Sequence, residues 1–193
     1  MAKSKRLANK TKPFSYHLGN FLIIISLFLL AFTVFPIISV YLFPPKTIPV
    51  EELKGDYVTI PKISAQAPLI FNVDPTRESV YQEVLKRGVA HAKGTALPEE
   101  NGTVFLFAHS SGNPLEISNY NTVFLKLGKL EKGDEIFVNK DGKIYKYKVF
   151  DEKIVWPTEV KYLGETKDQL IVQTCWPIGT DFKRLLVFAR PSQ

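Results

Sequence analysis

The chain contains very little cysteine and histidine. Its 193 residues include one cysteine and three histidines. A single cysteine cannot form an intramolecular disulfide, and this residue set is too small for a closed structural zinc site. The composition therefore excludes disulfide-stapled miniproteins and zinc fingers.

Most of the chain also lacks an excess of charge of one sign. The formal net charge is +6, but the first 17 residues contain no acidic residue and five basic ones, namely Lys3, Lys5, Arg6, Lys10 and Lys12. From Lys46 onward, basic and acidic residues nearly balance. Because no basic stripe with interleaved aromatic residues is present there, nucleic acid is not an expected partner.

Charge is absent between Leu18 and Pro45, where Phe21–Phe43 reads FLIIISLFLLAFTVFPIISVYLF. As a helix this run would span about 34 Å, against roughly 30 Å for the hydrocarbon core of a bilayer. We expect an uncleaved membrane anchor, because the run is longer than the apolar region of a signal peptide and ends without a small-residue cleavage pattern. A cleaved signal peptide is the alternative.

The basic residues precede the apolar run, so the positive-inside rule predicts a cytoplasmic N-terminus and export of everything after Pro45. The predicted organisation has four parts. These are a basic cytoplasmic tail at 1–17, a transmembrane anchor at 18–45, a connector at 46–56 and an extracytoplasmic domain at 57–193. The expected location is the cell membrane, crossed once.

Short apolar runs separated by turn signals predict a β-rich domain. Thr103–Ala108 (TVFLFA) is apolar almost throughout and indicates a central strand buried on both faces. Asp141-Gly142 lies between two strand-like segments and indicates a hairpin. The whole pattern predicts a mostly β fold, a closed and mainly antiparallel barrel of about seven or eight strands, with one or two short helices and a preceding transmembrane helix.

One helix is predicted clearly in the exported part. Asp74-Pro75-Thr76 has the composition of a helix start, and Gly88 is placed to end the helix. At helical spacing, one face would carry the apolar and aromatic residues Val80, Tyr81, Val84 and Leu85.

Cys175 follows the apolar run Leu170–Thr174, where a predicted strand ends. A free cysteine usually packs as a small hydrophobic residue. An unpaired thiol in an exported protein is nevertheless unusual, which makes Cys175 a candidate nucleophile.

Two histidines lie in the exported part. His109 ends the run TVFLFA and would emerge from a core strand, whereas His91 lies in a predicted loop after the helix and would cap or pack. Arg184 opens the last predicted strand. The segment that joins Cys175 to Arg184 is short and rich in turn residues, which suits two adjacent antiparallel strands whose neighbouring ends meet. If the strand before His109 pairs alongside, a thiol, an imidazole and a guanidinium converge on one rim.

The segment LIVQTCWPIGTDFKRLLV resembles the signature of the sortase family, in which a Thr-Cys pair ends one strand and an Arg opens the next. Three other segments also resemble this family: IPKISAQAPLI at 60–70, GVAHAKGTALPEENGTVFLFAHS at 88–110 and LGKLEKGDEIFV at 127–138. The resemblance implies Cys175 as nucleophile, His109 as general acid and base, and Arg184 as the group that stabilises oxyanion and substrate. Thr174 is a further candidate contact to the bound peptide.

The resemblance implies a cysteine transpeptidase of the single-anchor type rather than a lid-bearing pilin polymerase. Its substrates would be exported proteins with a C-terminal sorting signal of the Leu-Pro-any-Thr-Gly type, cleaved through a thioester. The acyl group would pass to an amine of the cell envelope or of another protein. No cofactor is expected: some sortases hold calcium with loop carboxylates, but the loop acids here (Glu99, Glu100, Glu159 and Glu165) match ordinary surface acids.

Two other classes of protein remain open. An L,D-transpeptidase also uses cysteine and histidine outside the membrane, but it normally has a Ser-x-Gly-Cys arrangement, which the sequence TCWP lacks. A non-catalytic, membrane-tethered β-barrel binding module would explain the anchor and the barrel, but it would leave the arrangement of Thr-Cys and Arg to chance.

Overall fold

The computed structural model describes residues 14–111 and 120–192. The basic residues at 3–12, on which the predicted cytoplasmic tail depends, lie outside the described residues. Helix α1, Phe14–Leu42, is uninterrupted. Its part Phe14–Phe35 has a mean hydropathy of 2.5 and is long and apolar enough to cross a membrane. Length and composition alone suit a membrane anchor or a signal sequence.

Within the described residues, eight strands close into a barrel in the order β1-β2-β3-β4-β7-β8-β6-β5. Two neighbouring pairs, β2–β3 and β4–β7, are parallel, and the other neighbours are antiparallel. The predicted closed, mainly antiparallel barrel is therefore confirmed. The strands are β1 (Tyr57–Ile60), β2 (Ala65–Val73), β3 (Val89–Ala92), β4 (Thr103–Phe107), β5 (Glu135–Lys140), β6 (Lys143–Val155), β7 (Gln169–Trp176) and β8 (Lys183–Pro191).

Helix α2, Glu78–Leu85, connects the parallel strands β2 and β3. The helix is where the sequence places it, but the interpretation of its start is wrong. Asp74 Oδ1 accepts hydrogen bonds from the backbone N–H of Thr76 (2.9 Å) and from its hydroxyl (2.7 Å). Asp74 therefore closes a turn ahead of the helix, and Arg77 occupies the N-cap position without a side-chain cap.

Gly88 serves close packing and does not end the helix through its own conformation. A Cβ atom at this position would lie 2.2 Å from the backbone oxygen of Pro68. Only glycine lets the chain enter β3 so close to β2. The sequence identified Gly88 as the residue that follows the helix. Glycine is required there, however, because β2 and the start of β3 come into close contact.

The hairpin β5–β6 has the predicted two-residue loop. Lys140 and Lys143 are paired, and the loop residues Asp141 and Gly142 have φ angles of 52° and 77°. Positive φ at both central residues is the geometry that an Asp-Gly turn favours in hairpins. This prediction is confirmed.

The parallel pair β4–β7 forms the centre of the barrel wall. Every residue of β4 is buried, as the apolar run predicts. Phe107 pairs with Gln173, and the pairing continues back to Thr103 with Gln169. Because the strands run in the same direction, both carry their C-terminal ends to the same rim of the barrel.

Candidate active site

Cys175 and Arg184 are paired directly across the antiparallel ladder of β7 and β8. The predicted meeting of these two strand ends is therefore confirmed. The sequence placed Cys175 at the point where the strand ends. Strand β7 in fact continues to Trp176, so Cys175 is still a paired residue of the strand. Its thiol is free of any disulfide and half-buried.

His109 is brought to the same rim by the parallel partner strand. Phe107 and Gln173 are paired, so His109 and Cys175 each lie two residues beyond a matched pair. The backbone N–H of Ala108 extends the ladder by donating to Gln173 O (3.2 Å). On the other side, the N–H of Phe124 donates to His109 O (3.1 Å), which fixes the backbone on which the half-buried imidazole is carried.

Thr174 links the two strands that carry the thiol and the imidazole. Its hydroxyl donates a hydrogen bond to Ala108 O (3.0 Å), and the residue is only 3% exposed. This contact gives the Thr-Cys pair a structural purpose in the barrel wall. A direct contact between Thr174 and a bound peptide stays a prediction.

The guanidinium of Arg184 is held by two backbone carbonyls that precede it in the chain. Nη1 donates to Asp181 O (2.7 Å) and to Lys183 O (3.1 Å). An arginine side chain has five N–H donors in a rigid fork, so these two bonds orient the group without using all of its donors. Arg184 is therefore a positioned cation rather than a freely solvated one.

A cleft of about 270 Å³ contains Cys175, Arg184 and His109 in its lining. One wall is formed by α2, including Glu78 and Tyr81. Another wall is formed by Val155, the last residue of β6, and by the segment 156–163 that follows it. The residues that the sequence brings forward as catalytic candidates thus share one concave site of a size suited to a peptide side chain and its neighbours.

Burial raises the pKa of the Cys175 thiol above its ordinary value, although the guanidinium of Arg184 lowers it; the carboxylate of Asp181 raises it further. A nearby positive charge favours the thiolate form of a cysteine. The attraction of Arg184 is present, but desolvation of the sulfur outweighs it. Near neutral pH the resting group is therefore a thiol, whose proton has to be removed during attack.

His91 lies elsewhere, and the expectation that it sits in a loop is wrong. It is a residue of β3, fully buried, with its ring 5.2 Å from that of Phe71. Its Nδ1 accepts a hydrogen bond from Asn72 N (3.4 Å), and its Nε2 lies 2.9 Å from Ala96 O. Burial lowers its pKa, so this histidine is a neutral structural group that joins β3 to the residues on both sides.

The loop carboxylates considered for calcium each have a partner in the fold. Glu99 forms an ion pair with Lys140 (2.9 Å). Glu100, Glu159 and Glu165 accept hydrogen bonds from Leu97 N, Trp156 N and Gln169 Nε2, respectively. Among the described residues, no cluster of three acidic, histidine or cysteine side chains could hold a metal.

Sequence reasoning missed the walls of the cleft. Tyr81 was placed on an apolar helix face, with no indication that this face reaches the thiol. Trp156, Pro157 and Val160 follow the longest strand in a segment without regular spacing.

Comparison with known sequences finds relatives that match most of the barrel. The Sortase domain family model matches residues 58–192. Among curated proteins, the chain is similar to Sortase D of Bacillus subtilis (strain 168), with 31% identity over 136 residues. The alignment covers 68% of this chain and 60% of that protein, so less than two thirds of this relative is matched.

Solved structures of sortases share the barrel. Sortase C from Clostridium perfringens SM101 has a TM-score of 0.55 and 29% identity, covering 71% of this chain and 68% of that chain. Sortase C1 of Streptococcus agalactiae has a TM-score of 0.60 and 26% identity, and the match covers 72% of this chain and 66% of that chain. Sortase A from Corynebacterium diphtheriae has a TM-score of 0.58 and 28% identity, and the match covers 72% of this chain and 60% of that chain.

Proposed function

Because this chain belongs to the sortase family, we propose that it is a cysteine transpeptidase that cleaves exported proteins and joins them to an amine. The observation that supports this most directly is the cross-strand pairing of Cys175 with Arg184. His109 lies at the same rim, at the matching position after the parallel partner strand. These are the groups needed for nucleophilic attack, proton transfer and stabilisation of an oxyanion.

Acylation begins when Cys175 Sγ attacks the scissile carbonyl carbon of the substrate. A C–S bond forms as the thiol proton passes to His109, since the raised pKa keeps the resting group protonated. The carbonyl oxygen becomes an oxyanion, which the guanidinium of Arg184 stabilises. The imidazolium of His109 then protonates the leaving nitrogen, the C–N bond breaks and a thioester remains.

The thioester is resolved by an amine of the cell envelope or of another protein. The amine attacks the thioester carbonyl, and His109 accepts the proton that the nitrogen loses. The C–S bond then breaks, and the sulfur recovers its proton from His109. Water in place of the amine gives hydrolysis by the same route.

Arg184 has a geometrical reason to act as a stabilising group and not as a base. A guanidinium group is not deprotonated in proteins, so Arg184 carries its positive charge throughout the reaction. The carbonyls of Asp181 and Lys183 already hold Nη1, which fixes the orientation of the guanidinium before substrate arrives. A donor that is already oriented does not have to reorganise when the oxyanion forms.

The apolar helix α1 supports a location at the cell envelope. We propose that residues 18–45 are an uncleaved single anchor in the lipid bilayer, that the tail at 1–17 is cytoplasmic, and that the connector at 46–56 leads to a catalytic domain at 57–193 outside the membrane. The substrates would be proteins that carry a C-terminal sorting signal of the Leu-Pro-any-Thr-Gly type. The proposed subclass is the single-anchor sortase, with no metal or other cofactor in the reaction.

Product analysis tests this function. The full chain in detergent micelles is incubated with a peptide that contains Leu-Pro-Ala-Thr-Gly and with triglycine as the amine, and products are identified by mass spectrometry. We expect cleavage between Thr and Gly and a product in which triglycine is joined to the new carboxyl end. An L,D-transpeptidase would leave this peptide intact, and a binding module would leave both peptides unchanged.

A further inference from the structure

Tyr81 is a cleft residue whose position is fixed by the strand that leads to His109. It lies on α2 and lines the same cleft as Cys175 and Arg184. Its ring packs edge-to-face on Phe107, with centroids 5.9 Å apart and planes at 84°. Phe107 is the last residue of β4, so the aromatic contact ties the α2 wall to the backbone that positions the imidazole.

The hydroxyl of Tyr81 lies close enough to the reacting groups to sense their charges. Burial raises the pKa of this phenol, the carboxylate of Glu78 raises it further, Arg184 lowers it and Cys175 raises it. The net effect keeps Tyr81 protonated at physiological pH. A neutral O–H group, able to donate a hydrogen bond, is therefore present beside the thiol and the guanidinium.

Among the described residues, three bring a hydroxyl group to the lining of this cleft: Tyr81, Tyr162 and Thr174. The hydroxyl of Thr174 already donates a hydrogen bond to Ala108 O, and Tyr162 is buried with its ring against that of Phe188.

We propose that Tyr81 is a specificity-determining residue, whose ring forms a wall for the acyl part of the substrate peptide and whose hydroxyl donates a hydrogen bond to that peptide beside the carbonyl that Cys175 attacks. This inference rests on the proposed function. It adds a neutral donor on α2 to the thiol, imidazole and guanidinium supplied by the strands. A site built to use such a donor discriminates in favour of peptides that present an acceptor to it.

Two alkylating reagents separate recognition of the peptide from reactivity of the thiol. In both reactions Cys175 Sγ forms a C–S bond and halide leaves. The first reagent is a chloromethyl ketone built on Leu-Pro-Ala-Thr, which has to occupy the cleft, and the second is iodoacetamide, which does not. Second-order rate constants are measured for the full chain in micelles and for Tyr81→Phe, with the melting temperature as a check of folding.

We expect wild type to prefer the peptide reagent strongly. Tyr81→Phe keeps the ring on Phe107 and should lower the rate with the peptide reagent about fivefold, as for the loss of one neutral hydrogen bond, with no change for iodoacetamide. Tyr145→Phe is the matched control, since Tyr145 lies on β6 opposite Val138, outside the lining of this cleft, and also loses only a hydroxyl group. It should change neither rate.

Three results would overturn the inference. If Tyr81→Phe keeps the full preference of wild type, Tyr81 does not contact the peptide, while the proposed function stands. If both reagents slow equally, Tyr81 acts through the thiol and not through recognition. If wild type itself shows no preference for the peptide reagent, the proposed substrate class is wrong and the role of Tyr81 is wrong with it.

Discussion

Cys175 and Arg184 occupy directly opposite positions in the ladder of β7 and β8. Opposed residues on adjacent strands have Cβ atoms about 5 Å apart on the same face of the sheet, so the backbone pairing itself places the two side chains next to each other. No loop has to close to bring them together. The arrangement accounts for why a thiol with a raised pKa still lies within reach of a group that stabilises negative charge.

The first prediction concerns His91 and His109, the two histidines of the barrel domain. His109→Ala removes the proposed general acid and should lower the rate of acylation by at least about 100-fold without unfolding the protein. His91→Ala removes a buried ring from β3 and should lower the melting temperature, with the rate of the folded fraction within about tenfold of wild type. Single-turnover acylation of both variants, after a check of folding, measures the difference. A folded but inactive His91 variant beside an active His109 variant would reverse the assignment.

The second prediction uses the charges around the thiol. Cys175 should titrate above the ordinary value for cysteine, because burial outweighs the attraction of Arg184. Arg184→Gln removes that attraction and should raise the pKa further. Asp181→Asn removes a carboxylate but keeps the backbone carbonyl that holds Arg184, so it should lower the pKa. The pH dependence of iodoacetamide alkylation measures all three, and shifts of the same sign in both variants would contradict this account.

The third prediction concerns stability against pH. Burial lowers the pKa of His91 in the folded protein below its ordinary value of 6.5, so the unfolded chain binds this proton more readily. The free energy of unfolding should therefore be unaffected by His91 above about pH 6.5 and fall as the pH drops towards the folded pKa. The His91→Gln variant should be less stable overall, but its free energy of unfolding should lack this part of the dependence on pH. Melting temperatures of both proteins between about pH 7 and about pH 5 make the comparison.

If the melting temperatures of wild type and His91→Gln fall in parallel as the pH is lowered, His91 is not the group whose protonation destabilises the fold. The charged neighbours that act on His91 are Glu99 and Glu100, and both raise its pKa. Neutralising either residue should therefore lower the pKa of His91 further. In the same melting experiment on Glu100→Gln, the loss of stability should still begin near pH 6.5, which the unfolded chain sets, but it should continue to lower pH than in wild type.

The fourth prediction concerns Gly88. Gly88→Ala places a Cβ 2.2 Å from Pro68 O, which is backbone and cannot rotate away. The free energy of unfolding should fall by roughly 3 kcal/mol, the upper end of the usual cost of overpacking. Gly164→Ala is the matched control, because a Cβ there meets nothing within 4 Å. Urea unfolding of both variants gives the comparison, and equal stabilities would show that β2 and β3 can separate at low cost.

Local patterns predicted the parts of the fold that depend on neighbours in sequence. The Asp141-Gly142 hairpin and the buried strand Thr103–Phe107 follow from turn chemistry and from continuous apolarity. The ends of β7 and β8 could also be brought together, because one short loop joins them. In these cases the sequence distance is small and few arrangements compete.

The remaining features depend on contacts between distant segments. The parallel pairing of β4 with β7 spans a connection that includes β5 and β6, so no local signal fixes it. His91 was assigned to a loop because its strand has only four residues and pairs on both sides with distant segments. The raised pKa of Cys175 was missed for the same reason, since burial of the sulfur is set by the whole rim and not by its neighbours in sequence.

The central claim is that Cys175 forms a thioester with a sorting-signal peptide. Its most direct test is the intact mass of the full chain after brief incubation with excess Leu-Pro-Ala-Thr-Gly peptide and no added amine. We expect wild type to gain the mass of the fragment ending in Thr, removable by hydroxylamine, and the folded Cys175→Ala variant to gain nothing. An adduct on Cys175→Ala, or a folded wild-type protein that neither forms an adduct nor cleaves the peptide, would contradict this account.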